Sequence, residues 1–550
     1  MHTHKRKRWY LSALVAVVTG LALAGCGGDS GNDESSGDTG GGQAASEQVL
    51  RWGLGSEFNL DPGLATDTTS SKILLNIFDP LVKLDKDLNA QPAAAESWDV
   101  KGPNVTYHLR SGMKWTNGDP VTAHDYEFAW KRALSPELAS DYAYQLFGIK
   151  GAEEYNSCEK NCDKVKDKVG IKATDDSTLK VTLTSEQPWF IQQSAHHVFL
   201  PVNQKAVQAS PEGWTRPQNI VTNGPFKVES AQPSASITLV KNDDWRDAKD
   251  VKLTRVEGKI IVDGTTAVQS FEAGEVDVLD EQLPSEEIAR LKDTPEYELY
   301  TGLSTSYYGF NNKKITDIHQ RRAMSLAVNR QEIIDNITQA NEIPAKGFTP
   351  EGMPGFDDIV GEGSPWTPAE GDMEKAKAEM AKATKPVKNV TVFTNESPPN
   401  EDVAVALQSM WKELGINAKI KVMEWQQFLE MLGPPPPNSV DLYRLGWVGD
   451  FVDDINFLEL WTCDSGNNNA NFCDKSYDAL VVKAKNTPDN AERYKIYNQL
   501  ESKLTGENGA LPFIPLWSGT YNNLERDTVK DTFNINLLDQ VDLTQVEVKE

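Results

Sequence analysis

The stretch that most limits the fold of this chain is 389–423, where the hydrophobic pattern predicts a strand, a helix and a second strand in succession. "NVTVFT" has the composition of a strand, "EDVAVALQSMWKELG" is an amphipathic helix that ends at Gly415, and "INAKIKVM" is again a strand. Two strands joined through a helix at this spacing are predicted to lie parallel, with a right-handed crossover. The chain is therefore expected to be an α/β protein.

Other segments show the same mixture of strands and helices. "NVTYHLRSGMKWTNGDPVTAHDYEFAWKRAL" (104–134) predicts a strand, a turn at 117–120 and then a helix, for which Thr122 and Asp125 form the N-terminal cap. "STLKVTLT" (177–184) alternates as a half-buried strand does. Of the 550 residues, roughly 500 follow the N-terminal leader, too many for one hydrophobic core, so two or more lobes are expected.

The N-terminus is predicted to be a targeting segment and not part of the fold. Residues 1–25 combine a basic start with an apolar run, as a signal peptide does, and Leu-Ala-Gly-Cys resembles a bacterial lipobox that would be lipidated at Cys26. An ordinary signal peptide with an incidental cysteine is the alternative. Residues 26–46 have too few apolar side chains to order themselves and predict a flexible tether. The mature protein is expected to be lipid-anchored to the extracellular face of the cell membrane.

The charge of the chain argues against two classes of partner. The net charge of −26 becomes −30 once the four basic residues of the leader are removed. Such a field disfavours binding to nucleic acid or to an anionic lipid surface.

Four cysteines remain after Cys26, an even number that favours two disulfides in an exported protein. Three pairings are possible, and the local one, Cys158–Cys162 and Cys463–Cys473, is predicted because each pair closes a short polar loop. A zinc site of four thiolates would require closer Cys-x-x-Cys spacing and a reducing compartment.

No motif in the sequence predicts catalysis, a cofactor or a metal. Gly-x-Ser-x-Gly, His-Glu-x-x-His and the P-loop pattern are all missing. The only histidine pair, His196 and His197, is expected to point to different faces. Glycoside hydrolysis needs only two carboxylates, which any acidic chain offers, so that class stays open on sequence alone.

The segment "YRLGWVGDFVDD" (443–454) carries an unusual concentration of charge and indole, and three interpretations compete for it. A catalytic carboxylate group has no supporting motif. A calcium loop lacks the required acid spacing, because apolar residues separate Asp450 from Asp453. A pocket for a zwitterionic peptide would use Asp450 for the amino end and Arg444 for the carboxyl end. Ordinary surface pairing of these two side chains is the equal alternative.

A resemblance extends this interpretation to most of the chain. "RLGWVGDF" (444–451) resembles the Arg-x-Gly-Trp-x-x-Asp-aromatic segment of family 5 extracellular solute-binding proteins, the oligopeptide-binding proteins of ABC importers. "LNAQPAAAESWDV" (88–100), "PQNIVTNGPFKV" (217–228), "WKELGINAKIKVMEWQQFL" (411–429) and "YDALVVKAK" (477–485) follow in the family's order.

The resemblance implies a set of ligand-binding positions: Asp450, Arg444, Trp447, Trp425, Tyr142, Gly446 and Val448. The carboxylate would hold the peptide's amino group and the guanidinium would lie near its carboxylate. The two indoles would line side-chain pockets, and the tyrosine would reach the cleft from the smaller lobe. Backbone groups around the glycine and valine would bind the peptide as an added strand.

Two features depart from the family's pattern. Val448 stands where some relatives have a disulfide-bonded cysteine, so the disulfides must be placed differently here. "GPPPPNS" (433–439) lengthens the loop before the motif and must be an exposed connector.

The resemblance implies a type II periplasmic-binding-protein fold, with two α/β lobes joined by a hinge and a small third domain inserted in the first lobe. The expected boundaries are 47–78, 201–303 and 519–550 for lobe I, 79–200 for the inserted domain and 304–518 for lobe II.

The implied function is capture of extracellular oligopeptides by hinge closure and delivery to the membrane subunits of an ABC permease, by a monomer without enzymatic activity. Three alternatives stay open: the same fold binding a glycan, an opine or a metal complex, a secreted lipoprotein hydrolase, and a surface signalling lipoprotein.

Overall fold

The computed structural model describes residues 48–280, 283–396, 399–433, 436–437 and 439–549. The predicted signal peptide, the tether and Cys26 lie outside these residues, as does part of the proline-rich connector. Within the described part of the chain, no helix is long and apolar enough to cross a membrane.

The strands are β1 Val49–Leu54, β2 Val82–Leu84, β3 Ala90–Pro92, β4 Ala95–Lys101, β5 Asn104–Leu109, β6 Ile171–Asp175, β7 Thr178–Thr182, β8 Phe226–Gln232, β9 Ser236–Lys241, β10 Arg255–Ile260, β11 Val278–Leu279, β12 Tyr297–Phe310, β13 Ile343–Pro344, β14 Asn389–Asn395, β15 Asn417–Met423, β16 Leu442–Val448 and β17 Phe513–Glu525.

The α-helices are α1 Thr68–Ile77, α2 Ala123–Ala133, α3 Ala152–Asn156, α4 Cys162–Lys166, α5 Phe190–Gln193, α6 Gln204–Ala209, α7 Gly264–Glu272, α8 Ser285–Leu291, α9 Ile318–Leu326, α10 Arg330–Ile333, α11 Phe356–Ile359, α12 Met373–Met380, α13 Asn400–Lys412, α14 Trp425–Leu432, α15 Ile455–Leu458, α16 Lys475–Lys485 and α17 Asn490–Thr505. Short 3₁₀ turns follow several of them, and a π turn, Ile334–Thr338, extends α10.

The strand–helix–strand unit predicted at 389–423 is confirmed. Strands β14 and β15 pair in parallel from Asn389↔Asn417 to Asn395↔Met423, and α13 connects them. The helix is followed by Gly415 at φ +74°, a conformation that suits glycine because it has no Cβ. The predicted capping box of α2 is also present, with the Thr122 backbone N–H donating to the Asp125 carboxylate at 2.8 Å.

One mixed sheet runs through most of the described chain in the order β15-β14-β16-β12-β17-β11-β1-β10-β9-β8, with β13 paired to β17. The long antiparallel strands β12 and β17 connect the two ends of this sheet. Their pairing shifts register between Thr301 and Thr305, where Gly302 lies so close to the Tyr521 ring that a Cβ would come within 2.6 Å of it. This irregularity interrupts the hydrogen-bond ladder near the middle of the sheet, and such irregularities bend a strand locally.

A second sheet, β4-β5-β7-β6, is antiparallel and lies wholly within the predicted inserted domain. Its buried face packs on α2 around Tyr107 and Trp130 and joins the hydrophobic core that also surrounds β1 and α1. A separate core around Phe348, Trp461 and Phe513 lies under β12 and β16. The domain boundaries given above stay a prediction.

Both local cysteine pairs form disulfides in the structure. Cys158 is bonded to Cys162, and Cys463 is bonded to Cys473 across a turn that precedes α16. The disulfide pairing predicted from the sequence is therefore present.

Candidate functional site

The candidate site is built on β16 and the loop that follows it. Strand β16 pairs on one side with β12, from Phe310↔Leu442 to Ser304↔Val448. On the other side β14 pairs with it only at Leu442 and Tyr443. Among the described residues, the backbone from 444 to 448 therefore has a neighbouring strand on one edge only. Gly446 is exposed, and a Cβ placed on it would meet no atom closer than 3.7 Å.

Asp450 follows this strand, and its buried carboxylate is held in a fixed orientation. The side chain is 6 % exposed. One oxygen, Oδ2, accepts hydrogen bonds from Tyr144 Oη at 3.1 Å, Gln145 Nε2 at 2.6 Å and Asn456 Nδ2 at 3.0 Å. With its partners on Oδ2, the carboxylate presents Oδ1 in a different direction.

Asn456, the second residue of α15, ties the loop to Trp447. Its Oδ1 accepts both the Asp450 backbone N–H, at 2.9 Å, and the Trp447 indole N–H, at 3.1 Å. One amide therefore fixes the backbone, the carboxylate and the indole of the segment together.

Oδ1 of Asp450 faces a group of aromatic rings. His196 Nε2 lies 3.6 Å from it, and the ring of Tyr142 lies 4.8 Å from the ring of His196. His196 Nδ1 accepts the Val198 backbone N–H at 3.3 Å, so the ring proton of a neutral His196 is assigned to Nε2, toward Asp450. Burial and the neighbouring His197 hold the pKa of His196 well below its usual value, which keeps it neutral.

The expectation that His196 and His197 point to different faces is wrong. Their ring centroids are 4.1 Å apart, because His196 is extended at ψ 147° and the chain turns at once into a 3₁₀ helix. His197 Nε2 is 3.1 Å from the carbonyl oxygen of Ala65, so this ring is tied to the core.

Burial raises the pKa of Asp450 to about 6. Hydrogen bonds from Asn456, Tyr144 and Tyr142 counter part of this shift, and the charge of Glu459 adds to it. No lysine or arginine forms an ion pair with Asp450 among the residues that the structure describes. A cation bound at Oδ1 would offset the free-energy cost of burying the ionised carboxylate.

Arg444 lies on β16 and is half-buried. Desolvation lowers its pKa, and the nearest groups that act on it are the phenols of Tyr308 and Tyr307. In the described part of the chain no carboxylate pairs with it. The structure therefore does not show the alternative arrangement, in which Arg444 and Asp450 form ion pairs with other surface residues.

The other two acids of the motif, Asp453 and Asp454, differ in their hydrogen-bond partners. Asp453 pairs with Arg493 at 2.9 Å and accepts a hydrogen bond from Tyr497. Asp454 is buried, and neither of its oxygens has a partner within the described chain. Burial and the nearby Asp453 raise the pKa of Asp454 well above its usual value.

The structure brings Tyr142 and Asp450 together, joins Trp447 to them through Asn456, and places Arg444, Gly446 and Val448 on the same strand. Trp425 lies apart, at the start of α14, where it is 38 % exposed and stacks on Phe428 at 5.9 Å. Among the described residues no contact links Trp425 to Asp450, so the role of Trp425 stays a prediction.

Sequence reasoning missed four of the polar partners of Asp450, namely Tyr144, Gln145, His196 and Asn456. Gln145 is 305 positions away along the chain, and its amide is oriented by Gln193, whose Nε2 donates to Gln145 Oε1 at 2.8 Å. A buried glutamine and asparagine inside apolar stretches were the available signal, since such side chains are usually hydrogen-bonded.

Comparison with known proteins identifies relatives along nearly the whole chain. The model of the family described as "Bacterial extracellular solute-binding proteins, family 5 Middle" matches residues 89–469. The oligopeptide-binding protein OppA of Bacillus subtilis is 32 % identical over 546 residues, which cover 96 % of each chain.

Solved structures give the same result. The structure of OppA from Haemophilus influenzae in complex with RPPGFSPFR has a TM-score of 0.82 at 26 % identity, covering 92 % of this chain and 100 % of that one. The Escherichia coli murein tripeptide binding protein MppA gives 0.83 at 27 % identity, covering 92 % and 99 %. Its unliganded open form gives only 0.69, so the present structure is further from that open arrangement. The type II periplasmic-binding-protein fold is confirmed.

Proposed function

The chain belongs to family 5 of the bacterial extracellular solute-binding proteins, and we propose that within this family it captures oligopeptides for an ABC importer. The single observation that carries the proposal is the state of Asp450. A buried carboxylate without a lysine or arginine partner costs several kcal/mol, and a peptide's ammonium group would supply the cation.

The open edge of β16 supports the same ligand. An extended peptide placed along residues 444–448 would add a strand to the sheet, with main-chain hydrogen bonds that do not depend on its side chains. The half-buried guanidinium of Arg444 provides a partner for a carboxylate on the same strand. A zwitterionic, extended molecule matches these three features together.

The proposed mechanism is closure of two lobes on the peptide. Tyr142, Tyr144, Gln145 and His196 belong to the predicted inserted domain, whereas Asp450 and Arg444 belong to predicted lobe II. A ligand that contacts both groups binds the closed arrangement more tightly and shifts the equilibrium toward it. Bending would occur at the register shift between β12 and β17. No covalent step is proposed, so the protein is not expected to be an enzyme.

The proposed setting is the extracellular face of the cell membrane. The basic and apolar leader followed by Cys26 supports cleavage and lipidation there, and the tether would let a monomer reach the subunits of its permease. No nucleic-acid partner is proposed, because the mature chain is strongly acidic.

Thermal unfolding of the purified protein with trialanine at pH 8 tests the peptide proposal. We expect an increase of several degrees in the melting temperature, because a ligand that binds only the folded state stabilises it. Asp450→Asn should abolish this increase, and N-acetyl-trialanine should give none with the wild-type protein. Asp402→Asn, an exposed acid on α13, is the matched control and should respond as the wild type does.

The result that contradicts the proposal is equally specific. If a glycan or a metal complex stabilised the protein and no peptide did, the fold assignment would stand and the peptide assignment would be wrong. Appearance of peptide fragments during incubation would revive the hydrolase alternative.

A further inference from the structure

A cavity of about 570 Å³ is lined by none of the residues described for the candidate peptide site, although Ala195 of its lining directly precedes His196 in the chain. It is enclosed by α1, the β2–β3 hairpin, residues 245–246 and the C-terminal stretch 531–545. None of the seven predicted ligand-binding residues lines it. Its volume is in the range that small-molecule sites occupy, about 300–1,000 Å³.

Part of the lining of this cavity is apolar. Leu75, Phe78, Pro225, Trp245 and Val541 form it. Phe78 and Val541 are almost fully buried, whereas Leu75 is half-buried on the outer side of α1. An apolar body of one or two rings would replace water against this part of the lining at a favourable free energy.

The acids that line the cavity already have partners. Asp79 forms an ion pair with Arg246, and Asp542 pairs with Lys83 at 2.8 Å. Asp531 forms an ion pair with Lys549.

Asp85, a fourth acid of the lining, is also partnered. It accepts backbone N–H groups of Asp87 and Asn89 at 3.0 and 2.8 Å. These four carboxylates therefore leave little acceptor capacity for a cationic ligand.

The basic side chains of the lining, three against four acids, and one indole keep donors for a further acceptor. Lys83 and Lys86 stand at its mouth with side chains 40 % and 75 % exposed, and an ammonium group carries three N–H donors. Each of these lysines has one carboxylate partner in the structure. The indole N–H of Trp245 has no acceptor within the described chain. The complementary ligand is therefore one that brings an anionic acceptor.

We infer that this cavity is a second ligand site, which binds a small amphipathic carboxylate. The apolar part lies against Leu75, Phe78 and Trp245, and the carboxylate lies at the mouth with Lys83 and Lys86. The inference does not depend on the proposed peptide function, since the two sites share no residue.

Isothermal titration of the full-length protein with 4-phenylbutyrate tests this site. We expect binding of one molecule, weaker by about fivefold for the uncharged 4-phenylbutan-1-ol, since a half-exposed ion pair contributes up to about 1 kcal/mol. Lys83→Met keeps the alkyl stem and removes the charge, and it should lower the affinity for 4-phenylbutyrate by a similar factor. Leu75→Trp should abolish binding by filling the cavity. Excess trialanine should leave it unchanged.

Lys180→Met, an exposed lysine on β7, is the matched control and should bind as the wild type does. Thermal unfolding checks that the Leu75→Trp variant is folded. If this variant is unfolded, the result for Lys83→Met decides whether the second site exists. Unchanged affinity in Lys83→Met, equal affinity for the alcohol, or displacement by trialanine would overturn the second site.

Discussion

At the scale of single residues, Asp450 carries the proposed function and also lowers the stability of the folded protein. Its carboxylate is buried, its Oδ2 accepts hydrogen bonds from three neutral donors, and no lysine or arginine pairs with it in the described structure. Such a group is poised to bind a cation, and for the same reason it is unfavourable when the site is empty. The two consequences can be measured separately.

The first consequence is a pH dependence of peptide binding. The pKa of Asp450 in the empty site is raised to about 6, so the carboxyl gains a proton as the pH falls through that value. Because the ammonium form of the peptide binds the ionised carboxylate, affinity for trialanine should be greatest near pH 7, between the pKa of Asp450 and that of the peptide's amino group, and should fall about tenfold per pH unit below 6. Isothermal titration at several pH values measures this. A flat profile down to pH 5 would contradict the assignment.

The second consequence concerns the empty protein. The ordinary pKa of an aspartate is 3.8, and in the folded protein the pKa of Asp450 is about 6. Ionisation of Asp450 therefore destabilises the folded protein as the pH rises above 3.8, and the full effect is reached above pH 6. Asp450→Asn should therefore stabilise the empty protein at pH 8 by up to about 3 kcal/mol and have little effect at pH 4. Chemical denaturation at the two pH values measures the difference. Equal effects at both would show that the charge is not the cause.

At the scale of secondary-structure elements, the open edge of β16 makes a prediction about the ligand's backbone. N-methylation of the central amide of trialanine should lower affinity about tenfold, because one main-chain hydrogen bond of roughly 1 kcal/mol is lost and a methyl group blocks the edge. Exchanging the central side chain, as in Ala-Ser-Ala, should change affinity much less. Calorimetry of the three peptides measures this. A larger effect of the side chain than of the N-methyl group would argue against an added strand.

The same element shows what the sequence could and could not reveal. The charges and the indole of "YRLGWVGDFVDD" (443–454) predict where the site lies. The orientation of Asp450 was not predictable, because Tyr144 and Gln145 reach it from 306 and 305 positions away. Spacing along the chain carries no information about such contacts. The adjacent histidines were misjudged because an extended residue beside a 3₁₀ turn brings neighbouring rings together.

At the scale of the whole molecule, the hydrogen bonds to Asp450 join two predicted domains, and these hydrogen bonds involve no atom of a peptide. Tyr144 and Gln145 lie in the predicted inserted domain, and Asp450 lies in predicted lobe II. The lower similarity to an open form of a relative, 0.69 against 0.83, agrees with such a closed arrangement. The empty protein is therefore expected to visit the closed state, with Gln145 contributing to its population.

Gln145→Leu tests this expectation. The leucine keeps the size of the side chain but removes the amide that donates to Asp450 at 2.6 Å. The closed population of the empty protein should fall, and apparent affinity for trialanine should fall by the same factor, because affinity scales with the fraction of binding-competent molecules.

Fluorescence energy transfer between dyes on the two lobes measures the closed population, and calorimetry measures the affinity. Gln192→Leu, at a half-buried glutamine that donates only a long 3.4 Å hydrogen bond to Leu88, is the matched control. If Gln145→Leu weakened binding while the closed population stayed at the wild-type value, Gln145 would act on the bound peptide or on Asp450 alone. The proposed contribution to closure would then be wrong.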